Sequence, residues 1–168
     1  HVVLVARLTH EKGVDRAVTA VARAVDSGLS VHLHIVGDGP LRDALQQQVA
    51  QQGLTDVVYF HGEQANPYPY MKQADLLLVS SYHEAAPMVI DEARCLGVPV
   101  LSTETISAKE MVTEVQAGWV CDNNQEALNE ALCRVVRDRE ALAAVREHLI
   151  QNRATNASAL AQFDKLVI

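Results

Sequence analysis

The chain has 168 residues, 49% of them apolar, and a formal net charge of −7, which suits one domain with its own core and argues against a nucleic-acid surface. Cys95, Cys121 and Cys133 are odd in number and show neither CxxC spacing nor a nearby His pair, so a disulfide framework or structural zinc is not expected. No apolar run approaches the ~20 residues that a transmembrane helix needs.

The first predicted strand is 2–6, opening abruptly without a starter methionine, as in a piece of a longer protein. The loop 7–13 then carries Arg7 and Lys12, a planar fork and a mobile point charge, both suited to phosphate. Val14, Ala17, Val18, Val21, Ala22 and Val25 recur at helical spacing and stop at Gly28. The second strand, 31–36, holds His32 and His34 on one face; no third metal ligand can be named, so they read as packing or surface histidines. Gly37-Asp38-Gly39-Pro40-Leu41-Arg42 follows, but Arg42 stands where GxGxxG needs its third glycine and the motif follows the wrong strand, so a nicotinamide site is rejected. Gly37 and Gly39 suit a tight turn or a close approach of backbone to ligand. Leu41, Leu45 and Val49 mark a second helix ending at Gly53.

Strands are expected next at 57–60, 76–79, 98–101 and 119–121. After 76–79, Ser80, Ser81 and His83 lack the GxSxG elbow, so hydrolase chemistry has little support. Ala86-Pro87 reads as a helix start with proline at the first helical position, and that helix ends at Gly97. From Asn124 onward the chain is helical, closing on an amphipathic stretch, 157–168, whose Leu160, Phe163 and Leu166 need a surface to cover. Asn156-Ala157-Ser158 matches a glycosylation sequon but is set aside as a chance triplet.

Nearly all-apolar strands, each followed by a helix, predict an α/β fold: a doubly wound, Rossmann-like parallel sheet of about six strands with a helical C-terminal segment. Ligands of such sheets sit beyond the carboxyl ends of the strands, which directs attention to the loops 7–13, 37–41, 61–69, 80–87 and 102–107. Residues 1–42 hold five Lys/Arg against four Asp/Glu, so an anion site belongs near the front of the chain. Glu84 and Glu92 bracket the start of the helix after 76–79, whose first-turn amides suit a phosphate. Carboxylates only accept hydrogen bonds, and two of them beside a phosphate site fit a ligand with hydroxyls on both sides of its phosphate. A nucleotide-sugar has that layout.

In order along the chain, ARLTHEKGVD, VGDGPLR, YFHGE, ADLLLVSSYHEAAPMVIDEARCLGVPV and AGWV resemble the group 1, or family-four type, retaining glycosyltransferases. The resemblance implies that residues 1–168 are the C-terminal, donor-binding half of a two-domain GT-B enzyme whose N-terminal acceptor domain is absent from this chain. It implies that Arg7 and Lys12 grip the donor diphosphate, that Glu84 contacts the donor sugar and Glu92 the ribose, and that backbone at Ala86, Pro87, Met88 and Val89 meets phosphate and sugar. His61 and Glu63 would border the nucleobase, with Gly37 and Gly39 also at the donor side. The substrate would be a UDP- or GDP-sugar, with no cofactor and no metal, and the acceptor a glycan or a lipid-linked or lipopolysaccharide-type saccharide. The setting would be the bacterial cytoplasm, with peripheral contact to the inner face of the membrane through the absent domain, and the fragment alone would be inactive. Two departures stand out: Ala6 and Ala85 replace glycines usual in the family. On the residues alone, a non-catalytic nucleotide-binding or scaffolding module and a nucleotide-sugar epimerase-like enzyme remain open.

Overall fold

Valine and leucine dominate the central runs, VVLV at 2–5 and LLLV at 76–79, which form strands because side chains on both faces find cover, whereas the runs VYF at 58–60 and GWVC at 118–121 form edge strands that are only partly covered. The computed structural model describes residues 1–153. Its elements are β1 (Val2–Val5), α1 (Val14–Asp26), β2 (Leu33–Val36), α2 (Arg42–Gln51), β3 (Val58–Phe60), α3 (Tyr68–Gln73), β4 (Leu76–Val79), α4 (Met88–Leu96), β5 (Val100–Thr103), β6 (Gly118–Cys121), α5 (Gln125–Arg137) and α6 (Arg139–Asn152). A 3₁₀ turn at His10–Lys12 and a π-helical turn at Lys109–Thr113 complete the described elements.

The sheet is parallel throughout, in the order β3-β2-β1-β4-β5-β6. Successive residues of β1 feed opposite cores: Val2 and Leu4 pack with Val14, Val18 and Val21 of α1, Leu45 of α2 and Leu128 and Leu132 of α5. Val3 packs on the other face with Met71 of α3 and Ile90, Ala93 and Leu96 of α4. This is the expected doubly wound architecture. Its order reverses between β1 and β4, and the crevice at such a switch point is where an open α/β sheet receives its ligand.

Six strands were expected and six are found among the described residues, with shifted ends. β5 begins at Val100 rather than at residue 98, because Pro99 has no N–H to donate, although its carbonyl accepts from Leu77 N at 2.8 Å. Pro87 is not the first helical residue: with ψ at 109° it is extended and caps α4, which starts at Met88. α3 was not anticipated within or beyond the loop after β3. The stretch 157–168 and the Asn156 triplet lie outside the described residues.

Candidate functional site

The loops after β1 and β4 flank the switch point, and backbone contacts stitch them together. Tyr82 N donates to Glu11 O at 2.8 Å and Ser80 Oγ to Lys12 O at 3.2 Å. Gly13 makes this possible: it adopts φ +58°, and a Cβ there would lie 2.2 Å from Ser80 O. A cavity of about 220 Å³ opens between the loops, lined by Ala6, Arg7, Lys12, Ser80, Ser81, Glu84, Pro87, Met88 and Val89 among others. Five kinds of group thus meet: a guanidinium, an ammonium, a carboxylate, a hydroxyl and a helix start.

Arg7 is exposed at the rim. Lys12 and Glu84 form an ion pair through Lys12 Nζ and Glu84 Oε1, with side chains 30% and 14% exposed. Ser81 Oγ donates to the same Glu84 oxygen at 3.0 Å. α4 carries no side-chain cap, and Met88 and Val89 of its first turn, whose amides have no intrahelical partner, line the cavity. Met88 itself is 75% exposed.

The other sequence-predicted residues fall elsewhere. Glu92 lies one turn further along α4 and does not line this cavity; Tyr68 OH of α3 donates to its Oε1 at 3.4 Å. Burial raises the Glu92 pKa above its ordinary value, the Tyr68 hydrogen bond lowers it in part, and Asp91 adds to the rise. Gly37 and Gly39 serve the chain's own packing: a Cβ at Gly37 would lie 1.9 Å from Ala6 O, and one at Gly39 2.6 Å from Leu8 O. The close approach that these glycines permit is to the loop bearing Arg7. His61 Nε2 and His34 Nδ1 are 2.9 Å apart, and His61 packs against the Tyr70 ring. Burial lowers the pKa of both histidines, and for His34 the proximity of His61, the chain's amino group and His32 adds to it. Glu63 and Ala86 are exposed and outside the cavity. Among the described residues, no three His, Cys, Asp or Glu side chains are grouped to hold a metal ion, and no helix is long and apolar enough to cross a membrane.

Sequence reasoning missed the supports. Ser81, Thr103, Ser107 and Asn123 hold the loop after β4: Thr103 Oγ1 donates to Ser81 O at 2.7 Å, Ser107 Oγ to Ala85 O at 2.5 Å, and Asn123 Nδ2 to Tyr82 O at 2.9 Å. No local pattern marks Thr103, Ser107 or Asn123, since each reaches its partner only through the sheet order.

Residues 1–154 match the family described as "Glycosyl transferases group 1". The chain is 28% identical over 166 residues to the GDP-mannose-dependent alpha-(1-6)-phosphatidylinositol dimannoside mannosyltransferase of Mycobacterium tuberculosis, covering 96% of this chain and 43% of that one. Among solved structures it is similar to WaaG, a glycosyltransferase involved in lipopolysaccharide biosynthesis, with a TM-score of 0.80, 27% identity, and coverage of 93% of this chain and 43% of WaaG. Anabaena Alr3699/HepE in complex with UDP shares the fold, with a TM-score of 0.75, 24% identity, and coverage of 96% and 48%. The chain spans between a quarter and less than half of the length of the curated relatives it matches first.

Proposed function

Because the chain belongs to the group 1 glycosyl transferases, we propose that it is the donor-binding domain of an enzyme that moves a sugar from a nucleoside diphosphate onto a glycan or lipid-linked acceptor. Transfer proceeds with retention of anomeric configuration and without a metal, and the acceptor-binding domain belongs to the remainder of a longer protein. One observation carries this reading: Arg7, Lys12, Glu84 and the uncapped start of α4 line a single cavity at the switch point of the sheet.

Breaking the sugar–phosphate bond builds negative charge on the departing diphosphate. Cations and amides fixed in advance stabilise that charge more than they stabilise the intact donor, and only this difference accelerates the reaction. Arg7 supplies a bidentate fork, and the Met88 and Val89 amides supply directed donors at the positive end of a helix. Lys12 has three N–H donors, so it can keep Glu84 and still reach a phosphate oxygen. Glu84 has its second carboxylate oxygen for a sugar hydroxyl; it acts as an orienting acceptor rather than as a covalent nucleophile. Glu92 serves the ribose, away from the reacting bond, and His61 and Glu63 border the base. The glycine positions taken by Ala6 and Ala85 bear on which donor fits.

Calorimetry with UDP, GDP and ADP tests the reading. Micromolar binding of one diphosphate, lost in Arg7→Ala and Lys12→Met, supports it. Absence of binding at millimolar concentrations supports a scaffolding module instead, and a nucleotide-sugar epimerase-like enzyme would bind donor yet release it as an isomer.

A further inference from the structure

Arg16, in the first turn of α1, is 3% exposed and lies outside the cavity just described. Among the described residues no carboxylate pairs with it at ion-pair distance. Its Nη1 donates to Asn123 Oδ1 at 2.8 Å and its Nη2 to Ser80 O at 2.5 Å, while the guanidinium lies 3.7 Å from the centre of the Tyr82 ring. Nε is buried without a hydrogen-bond partner. A guanidinium keeps its charge in proteins, and a buried charge without an ionic partner is costly to fold around. The residues that share its side of the helix, Ala20 and Ala24, are small and fully buried. An aliphatic side chain at position 16 would fill the space at lower cost.

What the cation holds accounts for it. Ser80 and Tyr82 are the residues flanking Ser81, the hydroxyl that donates to Glu84. Asn123, oriented by Arg16 through its oxygen, donates through Nδ2 to Tyr82 O and to Glu104 O, each at 2.9 Å. Tyr82 N in turn holds Glu11 O, beside Lys12. One side chain thereby ties the loops after β1, β4, β5 and β6 to α1. We propose that Arg16 is a positioning residue for sugar transfer: it fixes the loop after β4 so that Glu84 and its Lys12 partner meet the donor in register. The inference deepens the donor-binding reading and rests on it.

The test has two arms. In this chain, hydrogen exchange is followed at the Tyr82 amide for wild type, Arg16→Met, Arg16→Lys and Asn123→Ala; Asn123 is a surface residue, so its variant keeps the core. Loss of a charge-assisted bond should speed Tyr82 exchange about tenfold or more, with β1 and β2 amides still protected, and Arg16→Lys should recover part of the protection. In the longer enzyme, turnover should fall by up to about 10²-fold, the scale of a small misplacement of reacting groups, with donor KM changed less than about threefold. Unchanged Tyr82 exchange in Asn123→Ala and in folded Arg16→Met overturns the proposal, as does a general loosening of all strands or a loosened loop with wild-type turnover. Wild-type chain that binds no nucleoside diphosphate while Arg16→Met still frees Tyr82 sinks the donor reading and the role in transfer together. Donor binding with an unaltered loop sinks the Arg16 role alone.

Discussion

Replacing Gly13 with alanine should destabilise the chain far more than the same change at Gly28, although both glycines have left-handed backbone. Gly13 has φ +58° and Gly28 φ +80°, so each substitution carries the cost of a Cβ in that region, about 1–2 kcal/mol. At Gly28 nothing lies within 4 Å of the added methyl, and that cost is the whole effect. At Gly13 the methyl would sit 2.2 Å from Ser80 O and 3.1 Å from Arg16 Nε. The obstructing atom is backbone at the end of β4, which cannot swing aside as a side chain can. Relief requires the two loops to part by about an ångström, enough to break the bond from Arg16 to Ser80 O, a charge-assisted contact of about 1.5–3 kcal/mol. Urea denaturation of the two variants should therefore give a loss of about 2.5–5 kcal/mol for Gly13→Ala against about 1–2 for Gly28→Ala, at equal m values. Equal losses would refute the claim that backbone contact between the loops after β1 and β4 shapes the cavity.

In the longer enzyme, Arg7→Ala should lower turnover at saturating donor by ~10²–10³-fold, by analogy with loss of one donor to a developing oxyanion; unchanged turnover defeats the assignment. Glu92→Gln should weaken donor binding with little effect on turnover, and a large turnover defect at unchanged affinity contradicts the ribose role. The same variant tests linkage: burial raises the Glu92 pKa, so the folded state holds its proton to higher pH than the unfolded chain and loses stability as pH rises from the ordinary value through the raised one. The midpoint of Glu92→Gln should accordingly gain on wild type across that window, and a constant difference would show that the carboxylate is not desolvated. His34 and His61 carry the opposite sign. Their pKa values lie below the ordinary 6.5, so the unfolded chain takes up protons first and urea midpoints should fall as pH drops below 6.5 through the depressed values; His34→Leu should flatten that slope.

The fold was legible because its signals are local. Short runs of three to six residues gave the strands, the spacing of Val14, Val18 and Val21 gave α1, and Gly97 ended α4 with φ +74° as a glycine cap does. α3 escaped notice because Tyr68-Pro69-Tyr70 has the composition of a loop, and only Met71 reaches the core. At the site, Arg7, Lys12 and Glu84 could be proposed from their places after strands. Their convergence on one cavity follows from β1 lying beside β4, a pairing of segments more than seventy residues apart. Arg16 was hidden among the apolar residues of α1, where an arginine reads as solvent-facing. The clue was the pair of alanines at Ala20 and Ala24, in helical register with it and fully buried; its partner Asn123 stands 107 positions away.

The pairing of Lys12 with Glu84 has an electrical consequence. An ammonium already matched to a carboxylate contributes almost no net field at a distance, so under the donor-binding proposal an approaching diphosphate would be drawn mainly by Arg7 and by the dipole of α4. The ammonium would then join at close range by dividing its hydrogens between two acceptors, rather than by discarding one for the other. On that proposal long-range attraction and short-range grip fall to different residues, and ionic strength should slow donor capture through Arg7 while leaving the hold of Lys12 nearly untouched.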